Sequence, residues 1–165
     1  MADGGWLRTG DVGYLDERGQ LWLLGRQKDV IRTGSENVHA SEVEAVLTQH
    51  PGVRAAAVVG MPHTKLGECV GALLVLQASW VWREASDVAG GPTGSAGADA
   101  TACGDEPVNV LGPQELRRHC VQSGLSRYKL PRVMIAQAQP LPADTMGKVS
   151  KAAVRERLAP TRSRL

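Results

Sequence analysis

The 165 residues contain no phenylalanine, and aromatic side chains make up only 4% of them. A core of ordinary density must then be built from Val, Leu, Ile and Ala. Cysteine is scarce as well. Cys69, Cys103 and Cys120 are odd in number and far apart, which argues against a disulfide frame or a zinc site and suits reduced thiols. Neither charge sign dominates. A net charge of +2 is too small to imply nucleic acid or an anionic membrane surface as a partner. No apolar run approaches the roughly 20 residues that span a bilayer, so no membrane span is expected. The opening stretch MADGGWLRTGD lacks the apolar core of a signal peptide. Internal repeats, a dinucleotide fingerprint, a metal-ligand cluster and a Ser-His-Asp set recognisable by spacing are also absent.

What is present is a chain of ordinary globular composition, 42% hydrophobic and 22% charged, sized for one domain with an appendage. DVGYLDERGQLWLLGR, residues 11–26, reads as a hairpin turning at DERG. KDVIRTGSENV, residues 28–38, reads as a second strand pair turning near Gly34. The first helix is expected over 41–49. Ser41 and Glu44 stand at capping-box spacing, Val43, Val46 and Leu47 form an apolar face, and Pro51-Gly52 stops it. VRAAAVVGM and CVGALLVLQ are apolar runs of strand length, suited to burial on both faces. Residues 85–110 hold mostly Gly, Ala, Ser, Asp and Pro and read as a mobile insertion. A second helix is expected over 114–123, with Leu116, Cys120 and Val121 inward. PRVMIAQ supplies another strand and SKAAVRERL a last helix, closed near Leu158 by Pro160. The fold class is α/β in the α+β sense: a small mixed sheet with flanking helices, preceded by a β-hairpin.

Three polar stretches could carry chemistry. RTGD puts Asp11 just before a strand, where a two-oxygen acceptor suits a sugar diol; a turn-forming Asp explains it equally well. GRQKD groups Arg26, Lys28 and Asp29 between hairpins. Arg suits ribose or phosphate, yet a solvated linker would look the same. LPADTMGKVSK places Lys148 after a glycine. From there a fixed positive charge could meet developing negative charge, and a surface lysine is the plain alternative.

The order of these stretches decides between the readings. WLRTGDVGYLDERGQLWLLGRQKDVIRTGSENVHASEVEAVLTQHPGV, followed by YKLPR and LPADTMGKVSK, resembles the adenylate-forming acyl-CoA synthetase (AMP-binding enzyme) superfamily over nearly the whole chain outside the insertion. Within it, TGSENVHASEVEAVL, VLQASWVW and ELRRHCVQSGL resemble the plant 2-succinylbenzoate–CoA ligases of phylloquinone synthesis more than coumarate or fatty-acid ligases. The resemblance implies an ATP-dependent acid–CoA ligase. Carboxylate and ATP give an acyl-adenylate and pyrophosphate, and CoA then takes the acyl group and frees AMP, the small C-terminal domain turning between the steps.

By this resemblance Asp11 holds the adenylate ribose hydroxyls and Arg26 lies near the same ribose or phosphate. Lys28 is the hinge, Lys148 is the catalytic lysine of adenylation, and Gly34 leaves room for the pantetheine arm of CoA. Ser35, Glu36 and His39 receive no catalytic role. No metal site is implied within the chain; Mg2+ and most of the ATP contacts belong to a large N-terminal AMP-binding domain, the expected partner, whose phosphate loop and acid pocket these residues do not include. Residues 1–27 correspond to the tail of that domain, 28–159 to the lid, and 160–165 to an exposed tail. One departure stands in the Lys148 loop. Asp144 occupies a position where the family usually has Thr, placing a negative charge near a phosphate site.

The terminal SRL fits a peroxisomal address read by the import receptor, so a peroxisomal location is expected, with the chloroplast as a second possibility for a longer protein. Rival readings are a stand-alone, non-catalytic lid module or truncated gene product, a coumarate–CoA-ligase-like enzyme, and an adenylation domain of the luciferase or peptide-synthetase kind. The chain by itself is expected to form no acyl-CoA.

Overall fold

A computed structural model of the chain describes residues 5–83 and 109–159. The expected insertion lies outside these residues except at its end, and so does the SRL tail.

The hairpin forms as its turn chemistry requires. Strands β1 (Asp11–Leu15) and β2 (Leu21–Arg26) pair antiparallel. Asp16 organises the turn: one carboxylate oxygen accepts the Arg18 and Gln20 N–H groups at 2.9 and 2.8 Å, and the other accepts the Trp22 indole N–H at 3.0 Å. These bonds, the indole first, hold the Asp16 carboxyl below its ordinary pKa. After a 3-10 turn at Gln27–Asp29, β3 (Val30–Thr33) and β4 (Glu36–His39) form the second expected pair. Gly34 is the first residue of their two-residue turn and has φ 64°, a conformation glycine adopts without a Cβ penalty.

The long antiparallel ladder of β5 (Val53–His63) and β6 (Gly67–Leu76) is the centre of the fold. Strand side chains alternate between faces, and here both faces are covered. Val58, Val70, Ala72 and Leu74 point to one side, into a cluster with helix α1 (Ala40–Thr48) and helix α2 (Pro113–Gln122). Ala57, Val59, Met61, Cys69 and Leu73 point to the other, where helix α3 (Lys151–Leu158) inserts Val154 and Leu158. A Cβ on Gly71 would lie 2.6 Å from Met61 Cγ and 3.2 Å from Leu158 Cδ1, so only glycine admits α3 at this distance. With β5 along one edge of β6, the other edge is shared. β3 meets it at Thr33–Gly67, antiparallel, and the strand Val133–Gln137 lies parallel along Gly71–Val75. The sheet is therefore mixed, as expected.

Three expectations are corrected. No capping box forms on α1. His39 is its N-cap residue, so Ser41 lies inside the first turn, and both Ser41 and Glu44 are engaged by other elements. Val121 does not face inward; it is 51% exposed, because the turn after α2 brings Leu125 into the core instead. Two three-residue strands, β7 (Trp80–Trp82) and β8 (Asn109–Leu111), pair in parallel. Asn109 and Val110 thus belong to a strand and not to the insertion. The strand Val133–Gln137 is then β9. Helix α3, by contrast, follows expectation: it starts from Ser150, whose hydroxyl accepts the Ala153 N–H, and it stops at Leu158.

Beside β7, His50 is buried between α1 and α2. Its ring stands edge-on to Trp80 and to His119, with centroids 5.4 and 5.1 Å away. Its Nδ1 accepts the Gly52 N–H at 3.1 Å. Burial, then the neighbouring His119, lower the His50 pKa below 6.5, against a smaller opposing pull from Glu115. A depressed histidine binds fewer protons folded than unfolded. Its contribution to stability is then complete above about pH 6.5 and is lost as pH falls from there through the folded-state value. Thermal midpoints at pH 7.5 and 5.5 should show a smaller acid-induced drop in His50→Gln than in the wild type; equal drops would mean His50 is not held neutral.

Candidate functional site

Asp11 opens β1 and Arg26 closes β2, and the hairpin register places them opposite each other. Arg26 Nε lies 3.6 Å from Asp11 Oδ1, with the side chains 54% and 38% exposed. A pair this open and this long is weakly held. Each group remains free to exchange its partner for a sugar hydroxyl or a phosphate oxygen. The Gln27 N–H donates to the Gly10 carbonyl at 2.8 Å, closing the base of the hairpin.

Lys28 stands at a junction. A cleft of about 430 Å³ on one side is lined by Thr9, Gly10, Arg26, Gln27 and Lys28. A second, of about 460 Å³, runs from Gln27 and Lys28 past Arg32 to Gly34, Leu66 and Glu68. Gln27 and Lys28 thus border both the cleft at Arg26 and the cleft at Gly34. The Gly34 turn is anchored by its own N–H, which donates to the Leu66 carbonyl at 2.8 Å. A Cβ there would meet nothing closer than Leu66 Cδ2 at 3.7 Å. Its need for glycine is thus conformational, and the space beside it is open.

Lys148 sits elsewhere, in the loop between β9 and α3. No hydrogen bond or ion pair joins it to Asp11 or Arg26 among the described residues, and it lines neither cleft. The loop is tightly made. Asp144 Oδ1 accepts the Met146 and Lys148 N–H groups, both at 2.9 Å. The Asp144 N–H donates to the Lys148 carbonyl at 2.7 Å, and Ala143 bridges to Val149. The Asp144 carboxylate, which stands where the family usually has Thr, turns onto the backbone and fixes the bend that presents Lys148.

Sequence reasoning missed the partner of Glu44. Its carboxylate accepts the Val58 N–H at 2.8 Å and pairs with the Lys151 ammonium, which also donates to the Val58 carbonyl at 2.9 Å. This bond set ties α1, β5 and the start of α3 together three residues after Lys148. Glu44 lies between Val43 and Leu47 on the helix face that meets the sheet, and a carboxylate there was the available signal. Among the described residues no group of His, Cys, Asp and Glu could hold a metal ion, and no helix is long and apolar enough to cross a membrane.

Residues 42–91 match the AMP-binding enzyme C-terminal domain family. The chain is 37% identical over 153 residues to the chloroplastic/peroxisomal 2-succinylbenzoate–CoA ligase of Arabidopsis thaliana, covering 93% of this chain and 24% of that one. It is also 37% identical over 154 residues to a 4-chlorobenzoate–CoA ligase of Arthrobacter sp, with 93% and 23% covered. Among solved structures, the o-succinylbenzoate CoA synthetase of Bacillus subtilis, in complex with the acyl-adenylate intermediate OSB-AMP, matches with a TM-score of 0.67 and 32% identity, over 92% of this chain and 25% of that one. The chain thus spans about a quarter of the length of the curated relatives it matches.

Removal of the Asp144 carboxylate should loosen the Lys148 loop without unfolding the sheet. In Asp144→Ala, amide exchange at Met146 and Lys148 should accelerate about tenfold, in line with the loss of one or two hydrogen bonds, while β5 and β6 keep their protection. Unchanged exchange at these two amides would show that the carboxylate does not hold the loop.

Proposed function

Because this chain carries the AMP-binding enzyme C-terminal domain and so belongs with the adenylate-forming acyl-CoA synthetases, we propose that it is the C-terminal lid of an ATP-dependent acid–CoA ligase with 2-succinylbenzoate as its acid, serving phylloquinone synthesis. The observation that carries this reading is the position of Lys28 between two clefts, one lined by Arg26, the partner of Asp11, and the other by Gly34. A hinge there would let a single lid present two different surfaces to one site.

ATP supplies the adenylyl group and CoA the accepting thiol. In this proposal Asp11 accepts hydrogen bonds from the ribose hydroxyls, and Arg26 exchanges its weak contact with Asp11 for ribose or phosphate. The Lys148 ammonium, held out on its fixed bend, faces the oxygen between acid and phosphate as charge builds there. After the lid turns about Lys28, the open space beside Gly34 admits the pantetheine arm. The described residues fit a nucleotide but not Mg2+, which belongs to the remainder of the enzyme. The partner is that remainder, an AMP-binding domain. It would cover the hairpin's apolar surface, where Trp6, Leu7, Leu15, Leu21, Trp22 and Leu23 are 50–78% exposed. A lone two-stranded hairpin is marginal in water, and such a cover would stabilise it.

Identity to the 4-chlorobenzoate and 2-succinylbenzoate relatives is equal, so the shared chemistry is acid activation followed by thioester formation. The choice of 2-succinylbenzoate rests on the sequence stretches named above. For location we propose the peroxisome, through SRL and its import receptor, with the plastid open to a longer form. A fluorescent protein ending in APTRSRL should become punctate and coincide with a peroxisomal marker, and should turn diffuse without Leu165. Diffuse fluorescence with the intact tail would remove the location and leave the ligase reading standing.

The catalytic proposal is tested in a fusion of this chain to the larger part of a 2-succinylbenzoate–CoA ligase. Lys148→Ala should slow adenylation on the order of 10²–10³-fold and leave thiolysis of supplied acyl-adenylate nearly intact. Lys28→Pro, which fixes φ at the hinge, should preserve one half-reaction and suppress the other. Equal losses in both half-reactions for both variants would contradict a lid with two working positions.

A further inference from the structure

A hydrogen bond crosses the proposed hinge. The Ser41 hydroxyl, in the first turn of α1, donates to the Leu24 carbonyl at 2.5 Å. Leu24 precedes residues 27–29 and Ser41 follows them. The carbonyl is available because β2 is bulged. Val12 pairs with Gly25 and Gly13 with Leu23, which leaves Leu24 without a register partner, and the next residue, Gly25, has φ 135°, open to glycine but not to ordinary side chains. Bulges re-aim backbone groups in this way. The seam around the bond is open and carries both apolar and charged groups, with Leu24 and Ala40 beside Asp29 and Glu44. It is a cleft of about 240 Å³ whose lining includes Gly25, Asp29, His39, Glu44 and Lys151.

We propose that Ser41 is a positioning residue: its bond to Leu24 latches the hairpin bearing Asp11 and Arg26 against α1, and this bond must break for the lid to turn at Lys28. The inference rests on the hinge reading above and goes beyond it by naming the contact that sets the balance between positions. Ser41 is exposed, so water replaces the lost partner readily and the latch opens at low cost. The Glu44–Lys151 pair lies wholly on the lid side and stays closed during the turn.

Limited tryptic cleavage of the 165-residue chain reads the latch directly. Cleavage after Arg26 follows the population of the opened hairpin when opening is fast. Arg18 in the exposed hairpin turn and Arg54 in β5 serve as controls. Ser41→Ala should speed cleavage after Arg26 about fivefold, the population change expected for one exposed neutral hydrogen bond, with Arg18 and Arg54 unchanged. Ser41→Thr, which keeps the hydroxyl, should restore the wild-type rate within about twofold on the same scale. An unchanged Arg26 rate in Ser41→Ala, or equal acceleration at all three sites, overturns the latch. If the wild type is cut after Arg26 no faster than after Arg54, the hinge reading itself fails, and the latch with it.

Discussion

The β5–β6 ladder is the constraint on which the rest of the molecule depends. Its strands are buried on both faces, so alternate residues must satisfy two separate cores. A one-residue slip would exchange the helix pair α1–α2 for α3 and place the Gly71 gap away from Leu158. Register is therefore fixed by both faces together. Along the free edge of β6, β3 and β9 dock one after the other. They lead to the Gly34 turn and, further along the chain, to the Lys148 loop, so both loops are carried on one rigid body.

The hairpin stands apart from that body. It is held by its own turn at Asp16, by Gln27 to Gly10, and by the Ser41–Leu24 bond. Its apolar side chains face outward in this chain. The contrast between a well-packed lid and a lightly held hairpin is what a hinge at Lys28 requires. The weak Asp11–Arg26 pair suits the proposed nucleotide role in the same way: groups that exchange partners are better left loosely engaged than locked in a buried bridge.

Much of this was legible in the sequence because it is local. Alternation and turn residues located the hairpins around DERG and Gly34, and apolar runs located β5 and β6. Asp11, Arg26, Lys28, Gly34 and Lys148 could be named from motif order, though not from spacing alone. What failed to show was tertiary. Ser41 and Glu44 have the spacing of a capping box, but they bond to Leu24, Val58 and Lys151, whose proximity no local pattern encodes. The backbone partners of Asp144, the Met146 and Lys148 N–H groups, depend on the path of the loop and not on residue type alone. Strands β7 and β8 are three residues each, too short for a periodic signal, and their parallel pairing joins residues far apart in the sequence.

If one lid serves two half-reactions through two different surfaces, as proposed, substitution at Gly34 should separate them. Asn tolerates positive φ better than other side chains, so Gly34→Asn adds bulk at the turn with little backbone strain. In the fusion with a relative's larger part, acyl-adenylate formation and its thiolysis by CoA should be timed separately under single-turnover conditions. The account predicts that adenylation stays near the parent rate while thiolysis falls by at least about tenfold, the mark of an obstructed second-step surface. Equal loss in both steps, or no loss in either, would contradict it.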